Sequence, residues 1–528
     1  MAIELSNLKF TDQDDIVPQF GVEQILNTGI ANTLAGNDII NGTSKISGYF
    51  SPGLIFSSIF NSGTLNTGEG NDVITGTLSQ IESSSVGETP TFNYGIYNEG
   101  SIYTGDGNDT ITGFIKEGIG LVDGIFNERG TIDTGDGNDI IAGISQAEEN
   151  TAGITNRNGS IINTGEGNDT ITGSSVDIGL TIEFECILDT GKGDDIITGA
   201  GRFGLINSSI FTTGDGNDII TGTNNGYNLG FGGGEGIENS GLMDTGDGND
   251  IITGTNTGPN FLGWGIANGG DIITGDGNDI ITGIGTTYGI FFFNNNGTIN
   301  TGNGNDSIIA DGGSDGIYNS GGTINTGNGE DSIISHGKFT NYGGVFLGDS
   351  NDSITADTDF PNRALENFNL IGTGDGNDII TSTGVIYNQG VIETGNGDDS
   401  IIVDGGVDEK GTRYGIYNNG GNINTGDGND SIIANEGFES APNSSGSVFL
   451  GEGEDYIKGF GSGDFYGGNG KDILELTPGS YTVGRWDTTV TFTKGSSLMI
   501  ASEFEQLTAG STTYIFASLI QGQTIVVA

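Results

Sequence analysis

Cysteine, histidine and proline are scarce in this sequence of 528 residues. Cys186 is the only cysteine, which excludes disulfides within the chain and cysteine-based zinc sites. His336 is the only histidine, so His-rich metal sites are excluded and one candidate is left for every histidine-dependent mechanism. With 7 prolines against 101 glycines, the chain is neither a proline-rich linker nor a collagen.

Positive charge is also in short supply. Fifteen Lys and Arg residues stand against 70 Asp and Glu, which gives a formal net charge of -55. Such a charge makes nucleic acids and anionic membranes poor partners and favours cations. The 33% apolar content, with regularly placed Ile, argues against a disordered chain.

The sequence also lacks the features of targeting and membrane segments. The start, MAIELSNLKFTDQDD, has neither a basic n-region nor an apolar h-region, so we expect no cleavable secretory signal. No apolar run approaches the roughly 18 residues that a membrane span needs. We therefore expect no membrane-spanning segment.

What is present is a repeat, exemplified by TGDGNDTITG from Thr104 to Gly113. Aligned on the Asp that follows Gly-x-Gly-x, it occurs in 17 copies at intervals of 17 to 37 residues. Two residues after each Asp stands an aliphatic side chain, which is Ile in 16 copies and Leu474 in the last. The repeated Asp residues are Asp38, Asp72, Asp109, Asp139, Asp169, Asp195, Asp218, Asp250, Asp279, Asp306, Asp331, Asp352, Asp378, Asp399, Asp430, Asp455 and Asp472.

A second element, Ile-x-Asn, precedes most copies by a nearly constant distance. Its Asn residues are Asn98, Asn127, Asn156, Asn239, Asn268, Asn319, Asn388 and Asn418. We expect them to form a hydrogen-bonded ladder on the edge opposite the Asp column; solvated turn residues are the alternative. The segments of variable length between the two elements, such as residues 114–123, are typical of loops on one side of a solenoid.

Short strands with alternating polarity, separated by Gly-rich and Asn-rich turns, predict an all-β parallel β-helix of about 17 coils. Ile at a fixed offset would stack as an internal column and bury apolar surface along the solenoid. Gly at fixed offsets would supply the positive φ angles of tight turns.

The aligned Asp residues predict bound cations. Stacked carboxylates about 5 Å apart repel by about 3 kcal/mol per neighbouring pair at an effective dielectric constant of ~20. Carboxylate and carbonyl oxygens are the ligands that Ca²⁺ prefers, whereas Mg²⁺ demands stricter geometry and retains water. For one isolated copy a polar turn with a capping Asp would suffice. For 17 copies we predict that all these Asp residues are calcium ligands.

The repeat resembles the RTX (hemolysin-type) calcium-binding nonapeptide G-G-x-G-x-D-x-U-x. Gly105, Gly107, Asp109 and Ile111 match it, and Thr104 replaces its first Gly. The resemblance covers residues 34 to about 476. It implies a right-handed parallel β-roll or β-helix with Ca²⁺ between neighbouring turns, and type I export without an N-terminal signal. With one such loop per coil, we expect a single calcium row.

The predicted organisation has three parts. Residues 1–30 form an N-terminal cap, residues 31–476 the calcium-binding coils, and residues 477–528 a small β cap. Ser480 to Lys494 alternates on two arms and predicts a hairpin. A solenoid end needs a cap against edge-to-edge association. The RTX resemblance implies that the same C-terminal segment carries the type I secretion signal.

The sequence indicates a secreted or cell-surface calcium-binding protein with a structural or interaction role, folding on calcium binding outside the cell. Cell-surface polysaccharide and other surface proteins are the partners left open. We expect no enzyme, because neither end holds a catalytic domain; a polysaccharide-active enzyme on the β-helix flank is the first alternative. Ice binding, or an adhesin-type module, is the second, although Asp106 interrupts the Thr array expected on the turn.

Overall fold

The structure is a computed structural model that describes residues 2–18, 23–47, 54–82, 92–118, 120–148, 150–224, 233–258, 263–358, 363–407, 413–441 and 446–528. The chain divides into two compact units, residues 1–287 and 288–528. Both consist of β-strands, and two short 3-10 helices, Leu5–Asn7 and Phe516–Ser518, are the helical turns within the described ranges. The part of the chain so described contains no helix with the length and hydrophobicity of a membrane span.

Each complete coil of the first unit has three strands, which we call a, b and c. In one coil, strand a is Thr110–Ile115, strand b is Leu121–Glu128 and strand c is Thr131–Asp133. Each pairs in parallel and in register with the same strand of the next coil; Ile111, for example, lies opposite Ile141. The Gly-Asp-Gly-Asn-Asp turn joins strand c to the next strand a. This pairing defines the predicted parallel β-helix.

Within its described residues, the first unit contains ten a strands, ten b strands and nine c strands. The a strands are Ile16–Val17, Ile39–Ser47, Val73–Glu82, Thr110–Ile115, Ile140–Ser145, Thr170–Ser174, Ile196–Gly201, Ile219–Asn224, Ile251–Asn256 and Ile280–Gly285. The b strands are Ala2–Glu4, Gln24–Asn27, Ile55–Asn61, Phe92–Asn98, Leu121–Glu128, Thr151–Arg157, Ile178–Ile182, Phe203–Asn207, Glu235–Asn239 and Trp264–Asn268. The c strands are Ile30–Asn32, Thr64–Asn66, Ser101–Tyr103, Thr131–Asp133, Ile161–Asn163, Ile187–Asp189, Ile210–Thr212, Leu242–Asp244 and Asp271–Ile273.

The second unit repeats this arrangement. Two strands run through both the a and b positions, Ser307–Asn319 and Ser332–Asn341. Its other a strands are Ser353–Asp357, Ile379–Ser382, Ser400–Val403, Ser431–Ala434, Tyr456–Lys458 and Ile473–Leu476. Its other b strands are Tyr288–Phe292, Arg363–Asn367, Val385–Asn388, Ile416–Asn418 and Phe438–Glu439. Its c strands are Thr298–Asn300, Thr323–Asn325, Gly344–Asp349, Leu370–Asp375, Val391–Glu393, Asn422–Asp427, Ser447–Gly453 and Gly463–Gly470.

The core consists of three columns of apolar side chains, one from each kind of strand. Ile111, Ile125 and Ile132 are the members from one coil, and all three are fully buried. The aliphatic residue two positions after each repeated Asp is likewise buried throughout both units, which confirms the predicted Ile column. Because strand side chains alternate, the neighbours of each column member face outward or into the turns.

The Gly-rich turns stack so closely that a side chain has no room. Gly105 and Gly107 have φ angles of 88° and 149°, and a Cβ on Gly107 would lie 1.7 Å from the carbonyl oxygen of Gly70. The two irregular copies adopt the same conformation without glycine: Leu34 has φ 78° and Ser350 has φ 112°. The stacking therefore imposes the left-handed turn even where the sequence does not favour it.

The C-terminal part of the second unit changes from parallel to antiparallel pairing. Strands Gly479–Trp486 and Thr489–Lys494 form the predicted hairpin, with Val483 opposite Phe492. Strands Ser497–Ser502, Gln506–Ala509, Thr512–Ile515 and Thr524–Val527 complete this region, and a separate small hairpin pairs Gly406–Val407 with Arg413–Tyr414. At the other end of the chain, strands Ala2–Glu4 and Ile16–Val17 already pair in parallel with the following coil.

Candidate cation-binding column

The 17 repeated Asp side chains lie inside the turns and are almost completely buried. Asp109 shows the arrangement. Its Oδ1 accepts a hydrogen bond of 2.7 Å from the backbone N–H of Asp72 in the preceding coil, and its own N–H donates to Oδ1 of Asp139 at 2.8 Å. Each carboxylate is thereby fixed in the column by the coil before it.

The same bond recurs through both units. In the first unit it links Asp38, Asp72, Asp109, Asp139, Asp169, Asp195, Asp218, Asp250 and Asp279 in that order. In the second unit it links Asp306, Asp331, Asp352, Asp378, Asp399, Asp430, Asp455 and Asp472. The structure therefore brings the predicted site residues of each unit into one continuous column.

The column of the first unit begins, and that of the second unit ends, with a residue that the repeat does not reveal. The N–H of Asp15 donates to Oδ1 of Asp38, and the N–H of Asp472 donates to Oε2 of Glu505, at 2.7 and 2.8 Å. Glu505 thus takes the place of a further Asp after the last repeat. No motif in the sequence marks it, because its role depends only on the fold of the cap.

The second carboxylate oxygen, Oδ2, is less well satisfied. The nearest donor is the Thr that replaces the first Gly of the nonapeptide, such as Thr104, but its hydroxyl donates to the carbonyl oxygen of Thr134 at 3.1 Å. Thr213 and Thr245 instead donate to Oδ2 of Asp218 and Asp250. Buried Oδ2 atoms that receive no hydrogen bond belong to Asp38, Asp72, Asp109, Asp139, Asp169, Asp195, Asp331, Asp352, Asp378, Asp399, Asp430, Asp455 and Asp472.

Burial makes the charged form of these carboxylates costly. It raises the pKa of Asp109 to about 7, and the nearby Thr104 hydroxyl and the N–H of Asp72 offset that rise only in part. The carboxylates on either side, Asp139 and Asp72, raise it further. Asp352 and Asp455, whose coils carry Leu347 and Leu450 in place of Thr, also have pKa values raised by burial to about 7. A buried column of this kind needs protons or cations.

Backbone oxygens contribute to the same turns. The carbonyl oxygens of Gly105 and Gly107 point at the next coil, where a Cβ on Gly135 or Gly137 would come within 2.2 and 1.6 Å of them. Within the described ranges, no group of three or more His, Cys, Asp or Glu side chains is arranged to hold a metal ion. A cation here would therefore depend on carbonyl oxygens as well as on carboxylates.

A second polar column covers the outside of each turn. Asp106, Asp136 and Glu166 are exposed there, and Lys192 occupies the same position in the next coil, with its Nζ 2.5 Å from Oδ2 of Asp215. The adjoining Asn residues are also linked, since the N–H of Asn108 donates to Oδ1 of Asn71 at 2.8 Å. This Asn ladder runs in the direction opposite to that of the buried Asp column, so each turn is tied to both of its neighbours.

The predicted Asn ladder on the far edge is confirmed. Nδ2 of Asn98 donates to Oδ1 of Asn127, and Nδ2 of Asn127 to Oδ1 of Asn156, at 2.8 and 2.9 Å. The same bonds join Asn27, Asn61 and Asn98, then Asn207, Asn239 and Asn268, and in the second unit Asn319, Asn341, Asn367, Asn388 and Asn418. Ile182 interrupts the ladder between Asn156 and Asn207.

The single cysteine and the single histidine lie apart from these columns. Cys186 is free and buried, with its Sγ 3.7 Å from the hydroxyl of Ser160. His336 is half exposed, and its Nδ1 lies 2.9 Å from Oδ2 of Asp357 in the next coil. Neither side chain belongs to the buried column.

A regular outward face of the first unit is a feature that the repeat analysis did not use. The outward positions of successive a strands form one column of Thr112, Ala142, Thr172, Thr198, Thr221, Thr253 and Thr282, in which Ala142 interrupts the Thr residues. The adjoining column contains the partly exposed Ile140, Ile196, Ile219, Ile251 and Ile280. The recurrent Ile-Ile-Thr-Gly sequence indicated this face, because its second residue points inward while its first and third residues point outward.

Comparisons with known proteins give little beyond this geometry. No protein-family description matches the chain, and no curated protein matches it. A solved structure that resembles it is a hyperactive, Ca²⁺-dependent, β-helical antifreeze protein from an Antarctic bacterium, at 18% identity over 82% of each chain and a TM-score of 0.26. The fold and the column described above rest on the strand register and contacts of this chain alone.

Proposed function

We propose that this chain is a calcium-binding repeat protein of the cell exterior or cell surface, with a structural or interaction role. The observation that carries the proposal is the buried column of carboxylates, most of whose Oδ2 atoms receive no hydrogen bond. Hard oxygen donors in this density suit Ca²⁺, which takes six to eight oxygen ligands. Bound Ca²⁺ would neutralise the column and remove the repulsion between coils.

The residues that would hold Ca²⁺ are the column Asp residues together with carbonyl oxygens of the Gly-rich turns. In one coil these are Asp109 and the carbonyls of Gly105 and Gly107. Each ion would draw on two neighbouring turns, because the donors of one turn are too few to complete a coordination shell. Thr104, in the place of the nonapeptide's first Gly, adds a hydroxyl beside the Asp109 carboxylate. This hydroxyl partly offsets the rise in the pKa of Asp109.

Calcium would couple folding to location. In the cytosol, where free calcium is low, the metal-free column would disfavour folding; outside the cell, millimolar Ca²⁺ would stabilise it. The likeness of the repeat to the RTX nonapeptide is the basis for proposing type I export through the C-terminal segment. Cell-surface polysaccharide or another surface protein is the partner we propose, and we assign the chain no enzymatic activity.

Refolding of the full chain tests the proposal. We expect far-UV circular dichroism in excess chelator to show much less β-structure than in millimolar Ca²⁺, with Mg²⁺ at equal concentration as the control. Equilibrium dialysis would show several ions per chain. Equal β-content and equal thermal midpoints in chelator and in calcium would refute the calcium role.

Ice binding is the second candidate, and one observation favours it. Asp106 interrupts a Thr array on the turn, but the turn is not the only regular surface among the described residues. The outward face of the a strands in the first unit carries one column composed mainly of Thr and an adjoining column composed mainly of Ile. Neighbouring strands lie about 4.8 Å apart, and alternate residues of one strand about 6.7 Å apart. A flat lattice of hydroxyl and methyl groups at such fixed spacings suits an ordered layer of water.

Thermal hysteresis of the calcium-loaded chain tests this candidate. Thr221→Tyr would break the Thr column near its middle, and we expect it to abolish most of the hysteresis. Asp247→Tyr places the same side chain on the exposed turn of the same unit and serves as the control. Hysteresis that is absent from the unaltered chain, or insensitive to Thr221→Tyr, excludes this function for the a-strand face.

A further inference from the structure

A cleft of about 500 Å³ lies on the outward face of the b strands in the first unit. It exists because large side chains give way to small ones along one column. Phe60, Tyr97 and Phe126 are register partners in successive coils, and Thr155 and Thr181 follow them. The surface therefore drops by the height of an aromatic ring after Phe126.

One wall of the cleft is a stack of aromatic rings that ends at Phe126. Its centroid lies 4.5 Å from that of Tyr94 and 5.6 Å from that of Tyr97, and both tyrosines belong to the preceding coil. Phe126 is itself buried, with 6% of its surface exposed, and its register partner in the next coil is the small Thr155. The Arg157 guanidinium lies over the ring, 5.6 Å from its centroid.

The remaining walls carry both hydrogen-bond donors and acceptors. Arg157 and Arg202 each place Nε 3.6 Å from a carboxylate oxygen, of Glu183 and Asp177 respectively. Asp123 is buried at the cleft and accepts a 3.1 Å hydrogen bond from the N–H of Ala152. Both ion pairs are looser than a direct hydrogen bond, so the guanidinium groups keep donor capacity for a ligand.

The Tyr97 side of the cleft adds a linked set of groups. The Tyr97 hydroxyl lies 2.6 Å from Oε1 of Glu99 and 2.9 Å from Oε2 of Glu128. A hydroxyl has a single proton, so it donates to one of these carboxylates at a time. The other carboxylate retains an open acceptor site for a ligand hydroxyl.

The charges of the cleft select among possible ligands. Asp123, Glu128, Asp177 and Glu183 outnumber the two arginines, so an anionic ligand would be repelled, as it would by the chain as a whole. An organic cation would meet the guanidinium groups that line the same cleft. A neutral ligand with many hydroxyl groups avoids both penalties and uses donors and acceptors alike.

We propose that this cleft binds a neutral oligosaccharide, with its hydroxyl groups bonded to the arginines and carboxylates and the apolar C–H groups of its sugar rings against Leu121 and Ile55, which line the cleft and are exposed. The volume lies within the range of small-ligand sites. The two aliphatic side chains supply apolar contact area, and the carboxylates and guanidinium groups supply orientation. The inference is independent of calcium binding, because the cleft lies on the b strands and not on the turns.

The test uses the full calcium-loaded chain and isothermal titration calorimetry. The probes are neutral hexose oligosaccharides of several linkages, with uronate-containing oligosaccharides of equal length for comparison. Thr155→Trp would fill the cleft, and Arg157→Ala would remove a donor from a partly exposed position. Thr253→Trp, on the outward face of an a strand, is the matched control.

We expect binding of at least one neutral probe, at least tenfold weaker binding by Thr155→Trp and Arg157→Ala, and unchanged binding by Thr253→Trp. Circular dichroism checks that each variant is folded. If Thr155→Trp fails to fold, Arg157→Ala decides the outcome alone. The proposal is overturned if no neutral probe binds, if only uronate-containing probes bind, or if both cleft variants bind as the unaltered chain does.

Discussion

The N–H of Asp72 donates a 2.7 Å hydrogen bond to Oδ1 of Asp109, one coil further along the chain. This bond makes the carboxylate a structural part of its neighbour, independently of any cation. Oδ2 of Asp109 receives no hydrogen bond and is therefore the oxygen more available to a metal ion or a proton. Substitutions that keep one oxygen and remove the charge therefore separate the two roles of the residue.

Asp169→Asn and Asp169→Ala form such a pair. Asn retains an Oδ1 that accepts from the N–H of Asp139, so we expect it to stabilise the chain in chelator and to reduce the calcium-dependent gain. Ala leaves that N–H buried without an acceptor, which costs about 1–3 kcal/mol. Urea unfolding in chelator and in calcium measures both. Equal losses for the two variants in chelator would contradict the separate role of Oδ1.

Without calcium, the column should make the chain less stable as the pH rises. Burial raises the pKa of Asp109, Asp169 and Asp218 to about 7, above the value in the unfolded chain. A raised pKa favours folding below the unfolded value of about 4, and this contribution is lost as the pH rises through the folded value.

We therefore expect the thermal midpoint in chelator to fall between about pH 5 and pH 8. In saturating calcium the trend should reverse, because the metal binds the deprotonated carboxylates. Differential scanning calorimetry at several pH values measures both series. A midpoint in chelator that rises over this interval would count against a protonated column in the metal-free chain.

The two irregular turns offer stabilising substitutions. Leu34 and Ser350 adopt positive φ angles that glycine adopts without strain. We expect Leu34→Gly and Ser350→Gly each to stabilise the chain by about 1 kcal/mol. Gly107→Ala is the opposite control: its Cβ would meet the carbonyl of Gly70, and we expect a loss of about 3 kcal/mol or more. Urea midpoints in calcium would show the ranking, and a destabilised Ser350→Gly would refute it.

The ladder of buried Asn side chains through Asn127 should contribute strongly to the free energy of unfolding. In Asn127→Ala, the buried Nδ2 of Asn98 loses one of its acceptors and Oδ1 of Asn156 loses one of its donors, while each keeps another partner. We expect a loss of about 1–3 kcal/mol from the two ladder hydrogen bonds. Thr112→Ala, on the outward face of strand a, is the control and should change stability by less than about 0.5 kcal/mol. Urea unfolding in calcium that gives similar values for both variants would mean that water replaces the ladder.

The elements that the sequence predicted share one property, a fixed offset from the repeated Asp. The Ile111 column, the register of strand a and the ladder through Asn127 all follow from that offset, because stacked coils place equal offsets at equal positions. The direction in which each carboxylate points does not follow from this offset. Whether Oδ1 of Asp109 accepts from the backbone of the preceding coil depends on how closely the turns approach, and the one-letter pattern does not contain that distance.

The sequence pattern did not predict the closing residue of the column or the cleft, for a related reason. Glu505 closes the column only because the C-terminal strands fold back onto the last coil. The cleft depends on which side chain fills the middle position of Ile-x-Asn in each coil, Phe126 in one coil and Thr155 in the next. A repeat analysis predicts that these two positions are register partners, but it does not predict the change in size between them.

The buried Asp, the stacked Gly and the far Asn hold most coils at three points, while the connection between strands a and b varies in length. Stability and surface are consequently encoded in separate parts of the repeat. A longer connection adds shape and chemistry to one side of the solenoid and leaves the supporting bonds as they were. New binding surfaces can thus arise, coil by coil, through insertions that the scaffold does not have to accommodate.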